Sequence, residues 1–264
     1  MGKKQNQFKA QITYSRDYRH FSTSVGPLVL YLLLCTLPIV LVFVLLYSPL
    51  TRAMCLWSGN IVAQITGETV QISSVAFLPG LGDVHFLSLL GSLPSFSHAL
   101  IAGIITLLAI PIVSQVKTNY RPLMIFLVMG LYVLLCSCVF FVFWPERFPY
   151  TLADYSQLYM LQMAALFIIL PLLFGVALSL TRARFIPHMT AVVVQLALEA
   201  GYNLLRYVVY LVFLRYCSSL YMATLFFTFG VLFDFIQMVT VYSVFAKKLS
   251  EQYGSLEGRA GWAW

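Results

Sequence analysis

Six long apolar runs divide this chain, and each is long enough to cross a bilayer as a helix, which takes about 20 residues. They fall near residues 26–47, 97–116, 123–144, 157–180, 190–214 and 220–246. Of the 264 residues, 61% are hydrophobic and 9% are charged. An ordinary soluble domain carries about 25% charged residues. Lipid is therefore the expected solvent for most of the surface. The expected fold is all-α: a polytopic bundle of six transmembrane helices.

The net charge of +7 does not point to nucleic acid, because the basic residues sit in the loops between apolar runs. Twelve Lys and Arg residues lie in the N-terminal arm, the 117–121 turn, the 182–184 turn and the C-terminal tail. Only Arg52, Arg147 and Arg215 lie on the other side. The positive-inside rule then predicts that both termini are cytoplasmic. The organisation reads as a basic arm over 1–24, a transmembrane domain over 25–246 and a cytoplasmic tail over 247–264. The arm is polar and the first run is long enough to span, so that run reads as a retained anchor. The expected setting is a bacterial-type inner membrane or a plasma membrane.

Residues 49–96 are expected to form a small extracytoplasmic segment, with Trp57 at the interface. Thr69-Val70-Gln71-Ile72-Ser73 alternates as a strand does. Pro79-Gly80-Leu81-Gly82-Asp83 is suited to turn the chain back onto Val84-His85-Phe86-Leu87 as a hairpin.

The fifth run carries the strongest functional signal. Gln195, Glu199, Asn203 and Arg206 are spaced four, four and three residues apart, which places them on one helical stripe. Charges within the hydrocarbon are expensive and face protein or water. Glu199 and Arg206 are about two turns apart, so the expected counter-charge for Arg206 lies on another helix. Asp234 in the sixth run is the candidate, with Gln237 three residues further on the same face. Two readings stand side by side. In one the stripe locks helices together; in the other it is a functional polar site.

Other residue types are less informative. Five cysteines without a CxxC pair argue against a disulfide framework or a zinc site. Cys136 and Cys138 project in opposing directions on a helix. Cys55 and Cys217 share the outer side, which is compatible with a disulfide between them. Ser95 and Ser97 precede His98, but Ser95 or Ser97 is more simply a helix cap. His20 and His188, in basic turns, are expected at lipid headgroups. The aromatic residues of the sixth run, Phe226, Phe227, Phe229, Phe233 and Phe235, read as packing groups. No nucleotide loop or metalloprotease motif occurs, and no catalytic residue, metal ligand or cofactor is assigned. Lys3, Lys4, Lys9, Arg16 and Arg19, with Lys247 and Lys248, are the expected contacts for anionic lipid or a docking partner.

In layout the chain resembles the exosortases and archaeosortases, membrane-embedded proteins that process C-terminal sorting signals. The similar stretches are Ala63 to Val70 with the strand-like segment after it, the span ending Ala109-Ile110-Pro111, and Asn203-Leu204-Leu205-Arg206, which is similar to that family's Asn-x-x-Arg motif. The resemblance implies a role for Arg206. It also implies a nucleophilic cysteine and a later histidine, yet 84–110 contains no cysteine and 207–264 no histidine.

The function expected from these observations is that of a non-enzymatic integral membrane subunit within a larger assembly of other membrane-protein subunits. A transporter or channel component using Glu199, Asn203, Arg206 and Asp234 as a polar path is the first alternative. A sorting-signal processing protein is the second.

Overall fold

The structure is a computed structural model that describes residues 25–80, 82–115, 121–179 and 185–260. Among the described residues, six helices are long and apolar enough to cross a membrane. This is the layout of a multi-pass membrane protein. Helix α1 (Val25–Tyr31) runs through a wide-turn segment, Leu32–Thr36, into α2 (Leu37–Thr66). A hairpin follows, β1 (Gln71–Leu78) and β2 (Gly82–Ser88). Then come α3 (Phe96–Gln115), α4 (Arg121–Phe143), α5 (Leu152–Ser179) and α6 (Phe185–Cys217). Helix α7 (Met222–Phe226) passes through a second wide-turn segment, Phe227–Val231, into α8 (Leu232–Ala260).

One boundary differs from the sequence reading. The first span does not end near residue 47; its helix continues to Thr66 with Pro49 inside it. The reason is visible in the burial pattern. Thr51, Met54, Cys55, Ser58 and Val62 are all buried, and their spacing is that of one helical face. The span of 38 residues from Val29 to Thr66 is about 57 Å long at 1.5 Å per residue. That is nearly twice the ~30 Å of hydrocarbon. At the other end, the expected tail from residue 247 is helical as far as Ala260.

The hairpin forms where alternation and turn chemistry place it. Its register pairs Gln71 with Ser88 and Val75 with Val84, with an irregularity between Ala76 and Leu78. Gly80 and Gly82 adopt positive φ, which the tight turn requires. Helix α2 supports the hairpin directly. Tyr47 Oη donates to the Gly82 carbonyl at 2.5 Å, and His85 N donates to Thr51 Oγ1 at 3.3 Å. Leu87 packs over Gly59. Ser95 caps α3, accepting from His98 N at 3.3 Å. All five cysteines are free, so Cys55 and Cys217 form no disulfide; Cys136 is exposed and Cys138 buried.

The chain divides into two compact units. One draws on the chain up to Val44, on Phe167–Leu198 and on the chain from Ile236. Its contacts include Phe43 against Phe167 and Tyr31 stacked on His188, with ring centroids 5.0 and 5.2 Å apart. Thr36 lies against Gly175 so closely that a Cβ there would overlap it. The other unit comprises Leu45–Leu166 and Glu199–Phe235. Its core holds Val62, Leu87, Tyr159, Tyr207, Leu211 and Leu220, all buried. Small residues allow close approach within it: a Cβ on Gly103 would lie 3.3 Å from Cys138 Cβ, and one on Gly91 would lie 2.8 Å from Leu152 Cβ.

Candidate functional site

Helix α6 has two unlike faces. Gln195, Glu199, Asn203 and Arg206 are all buried, and Arg206 keeps 5% of its surface exposed. Val193, Leu198, Leu205 and Val209 lie on the exposed side, with Leu205 at 62%. The helix thus turns its polar stripe inward and its apolar face outward, as lipid demands.

Arg206 organises the second unit. A guanidinium carries five N–H donors and no acceptor. Nε donates to Tyr159 Oη at 3.0 Å. Nη1 donates to the carbonyls of Phe229 at 2.7 Å and Gly230 at 3.2 Å. Nη2 donates to Asn203 Oδ1 and, at 2.8 Å, to Asp234 Oδ2. Asp234 Oδ1 is also 2.7 Å from Nη2, an ionic approach rather than a directed hydrogen bond. Asp234, the partner expected from the sequence, is therefore the counter-charge. Every guanidinium donor is engaged within the chain.

The two carbonyls reached by Nη1 explain the arginine's position. At Gly230 the backbone leaves helical geometry, with φ −89° and ψ −109°. A break in a helix frees peptide groups, which cannot remain unmet in hydrocarbon. Arg206 supplies donors to both carbonyls, and Tyr210 Oη adds a second bond to Phe229 O at 2.8 Å. The stripe on α6 thus satisfies the break between α7 and α8.

Tyrosines surround this centre. The Arg206 Cζ lies 5.4 to 5.9 Å from the ring centroids of Tyr159, Tyr202 and Tyr210, within cation–π range. Tyr159 Oη donates toward the Asn203 carbonyl and Oδ1, both at 3.2 Å. Tyr159 stacks on Tyr207 at 5.2 Å. Tyr207 Oη is hydrogen-bonded to Ser156 Oγ at 2.6 Å and accepts from Leu87 N at 2.9 Å. Hydrogen bonds therefore link Asp234, Arg206, Asn203 and Tyr159, ring stacking joins Tyr159 to Tyr207, and Tyr207 in turn bonds the hairpin. The sequence reading missed these tyrosines. Their one signal was spacing: Tyr155 and Tyr159 are one turn apart on α5, and Tyr202, Tyr207 and Tyr210 lie within four residues of Arg206 on α6.

The other expected residues are placed differently. Asn203 Nδ2 donates to Glu199 Oε1 at 2.7 Å, so the asparagine bridges acid and base. Among the described residues Glu199 Oε2 has no hydrogen-bond partner, and neither do Oε1 and Nε2 of Gln195. Gln237 Oε1 is also unpartnered, and Gln237 does not join the Arg206 network. His188 is buried rather than at headgroups, with neither ring nitrogen hydrogen-bonded. Its neighbour Tyr31 covers one face of the ring. Lys3, Lys4, Lys9, Arg16, Arg19 and His20 lie outside the described residues. Lys247 is on the exposed surface of α8, and the side chain of Lys248 lies outside the described part.

No protein-family model, curated protein or solved structure matches this chain.

Proposed function

We propose that this protein is a non-enzymatic integral membrane subunit of a larger membrane assembly, with both termini cytoplasmic and the hairpin on the opposite side. The observation that carries this reading is the saturation of Arg206. A guanidinium that must bind a substrate or relay charge needs a free donor, and all five are spent on a helix break, an asparagine, a tyrosine and an aspartate. Such a centre fixes helix positions. The broad apolar surface left on α6 and its neighbours is then available to lipid or to the spans of partner subunits. The basic arm and Lys247 with Lys248 serve as contacts for anionic lipid or a cytoplasmic partner.

Purification in mild detergent, with identification of whatever copurifies, tests this. A stable set of other membrane proteins is the expected result; a lone monodisperse monomer refutes it.

A transporter or channel component is the second reading. It is supported by Glu199, a buried acid with one unpartnered oxygen. Glu199→Gln separates the two. Intact assembly with abolished flux favours transport; intact assembly with unchanged flux favours the subunit. The exosortase-like reading rests on the three similar stretches, of which only Arg206 is carried over as a functional residue. Replacing each cysteine by Ala tests it: loss of cleavage of a cellular substrate establishes that reading and defeats the first.

A further inference from the structure

The second unit carries a cleft of about 1010 Å³ that the Arg206 network does not use. Its walls are the connections at one end of the unit. They comprise Gly67–Gln71 after α2, Ser88–Leu93 before α3, Phe148–Ala153 between α4 and α5, and Ser219 with Met222 after α6. The loops are firmly held. Gly91 lies against Leu152. Ser219 N donates to the Ser92 carbonyl at 3.1 Å, and Thr151 bonds Asp154. Arg215 clamps both carboxylate oxygens of Glu68 at the cleft wall. The cleft is thus a built feature, at the upper end of the size that holds a drug-sized ligand.

Its chemistry narrows the occupant. Glu68 is the only charged lining residue, and Arg215 already neutralises it. Neither a phosphate nor an ammonium group finds an unpaired counter-charge there. The polar lining is instead hydroxyl and amide: Thr69, Gln71, Ser88, Ser92, Thr151 and Ser219. Ser219 is nine-tenths buried, yet its Oγ has no protein partner. Phe148 and Tyr150 add an aromatic wall, their centroids 5.7 Å apart. Uncharged hydroxyl and amide groups beside an aromatic face are the complement of a sugar, which offers hydroxyls at its edge and C–H groups on its faces. An added peptide strand is less well served. The outward N–H groups of β2 at His85 and Leu87 are taken by Thr51 and Tyr207. At the mouth, Leu90 and Leu93 are exposed, beside the start of a membrane-spanning helix. Exposed leucines next to the start of an apolar helix suit a ligand that carries an apolar tail.

We propose that this cleft binds an uncharged saccharide head, carried on a lipid or free. The test uses the full chain in nanodiscs doped equally with a diglucosyl diacylglycerol, phosphatidylglycerol and diacylglycerol, with retained lipid read by native mass spectrometry. The glycolipid is expected to be retained about tenfold over the other two, the equivalent of roughly 1.4 kcal/mol. Gln71→Ala and Tyr150→Ala, both on exposed positions, are expected to remove most of that preference while leaving the protein monodisperse. Displacement by free maltose assigns the site to soluble glycan as well; no displacement assigns it to lipid-linked sugar. Equal retention of all three lipids overturns the proposal. So does a neutral extended hexapeptide that displaces the glycolipid, or a preference untouched by both variants.

Discussion

The two ends of the α6 polar stripe obey opposite rules. At the Arg206 end, every donor of a buried cation finds an acceptor, and a broken helix is made whole by it. At the Gln195 end, a fully buried amide meets no hydrogen-bonding partner among the described residues, and there Glu199 is satisfied through one oxygen only. Membrane helices tolerate buried polarity in both forms, but for different reasons. The first is a lock, in which loss of one member strands the others. The second is a polar surplus centred on Gln195, whose removal breaks no hydrogen bond among the described residues.

The largest effect is expected at the lock. Arg206→Ala leaves Asp234 buried without its counter-charge and returns the Phe229 and Gly230 carbonyls to an apolar setting. Breaking a buried pair in this way costs about 3–5 kcal/mol. Thermal unfolding in detergent, followed by loss of monodisperse protein, should show a sharply lowered midpoint or no folded protein at all. Adding Asp234→Leu to Arg206→Leu removes both charges together and should recover part of the loss. A single arginine substitution that leaves the midpoint unchanged would erase the distinction between the two ends.

Next in size is Tyr159→Phe. Its hydroxyl accepts from Arg206 Nε and faces Asn203, so the variant leaves one N–H of a buried cation unmet. A hydrogen bond to a charged group is worth about 1.5–3 kcal/mol, and the expected loss lies at the lower end of that range because the ring packing survives. Tyr210→Phe should cost less, about 0.6 kcal/mol, the average for a hydrogen bond between membrane helices. The Phe229 carbonyl that loses the tyrosine keeps its bond from Arg206. The midpoint ranking Arg206→Ala below Tyr159→Phe below Tyr210→Phe checks the lock as a hierarchy.

Much of this was legible before any coordinates. The bilayer sets a length and a polarity, so runs of apolar residues announced the six helices. Proline, glycine and strict alternation announced the hairpin. The Arg206–Asp234 pairing was legible because an intramembrane cation needs an acid, and Asp234 was the acid in the sixth run. Other features had no such signal. Pro49 and Arg52 looked like the end of a span, yet the buried face from Thr51 to Val62 carries the helix onward. His188 sits beside Arg182 and Arg184, and its burial depends on Tyr31 far away in the chain. Tyr159 and Tyr207 lie in apolar runs, where nothing in the sequence marks a tyrosine hydroxyl as engaged. The break at Gly230 lies inside an unbroken apolar run, where composition says nothing about backbone geometry.

The smallest expected effect falls at the other end of the stripe, and it tests the comparison most directly. Gln195→Leu swaps a buried amide whose polar atoms have no hydrogen-bond partner among the described residues for an apolar group of similar length. Burying an amide without a hydrogen bond costs about 1–3 kcal/mol on mutational scales. The variant should therefore hold its midpoint or gain by up to about 1 kcal/mol after imperfect packing is allowed for. Val193→Leu, on the exposed apolar side of the same helix, is the control for added apolar bulk. If Gln195→Leu instead falls as far as Tyr159→Phe, then the glutamine is engaged as firmly as the lock. The stripe would then be one cooperative polar element rather than a lock with an unpaired extension.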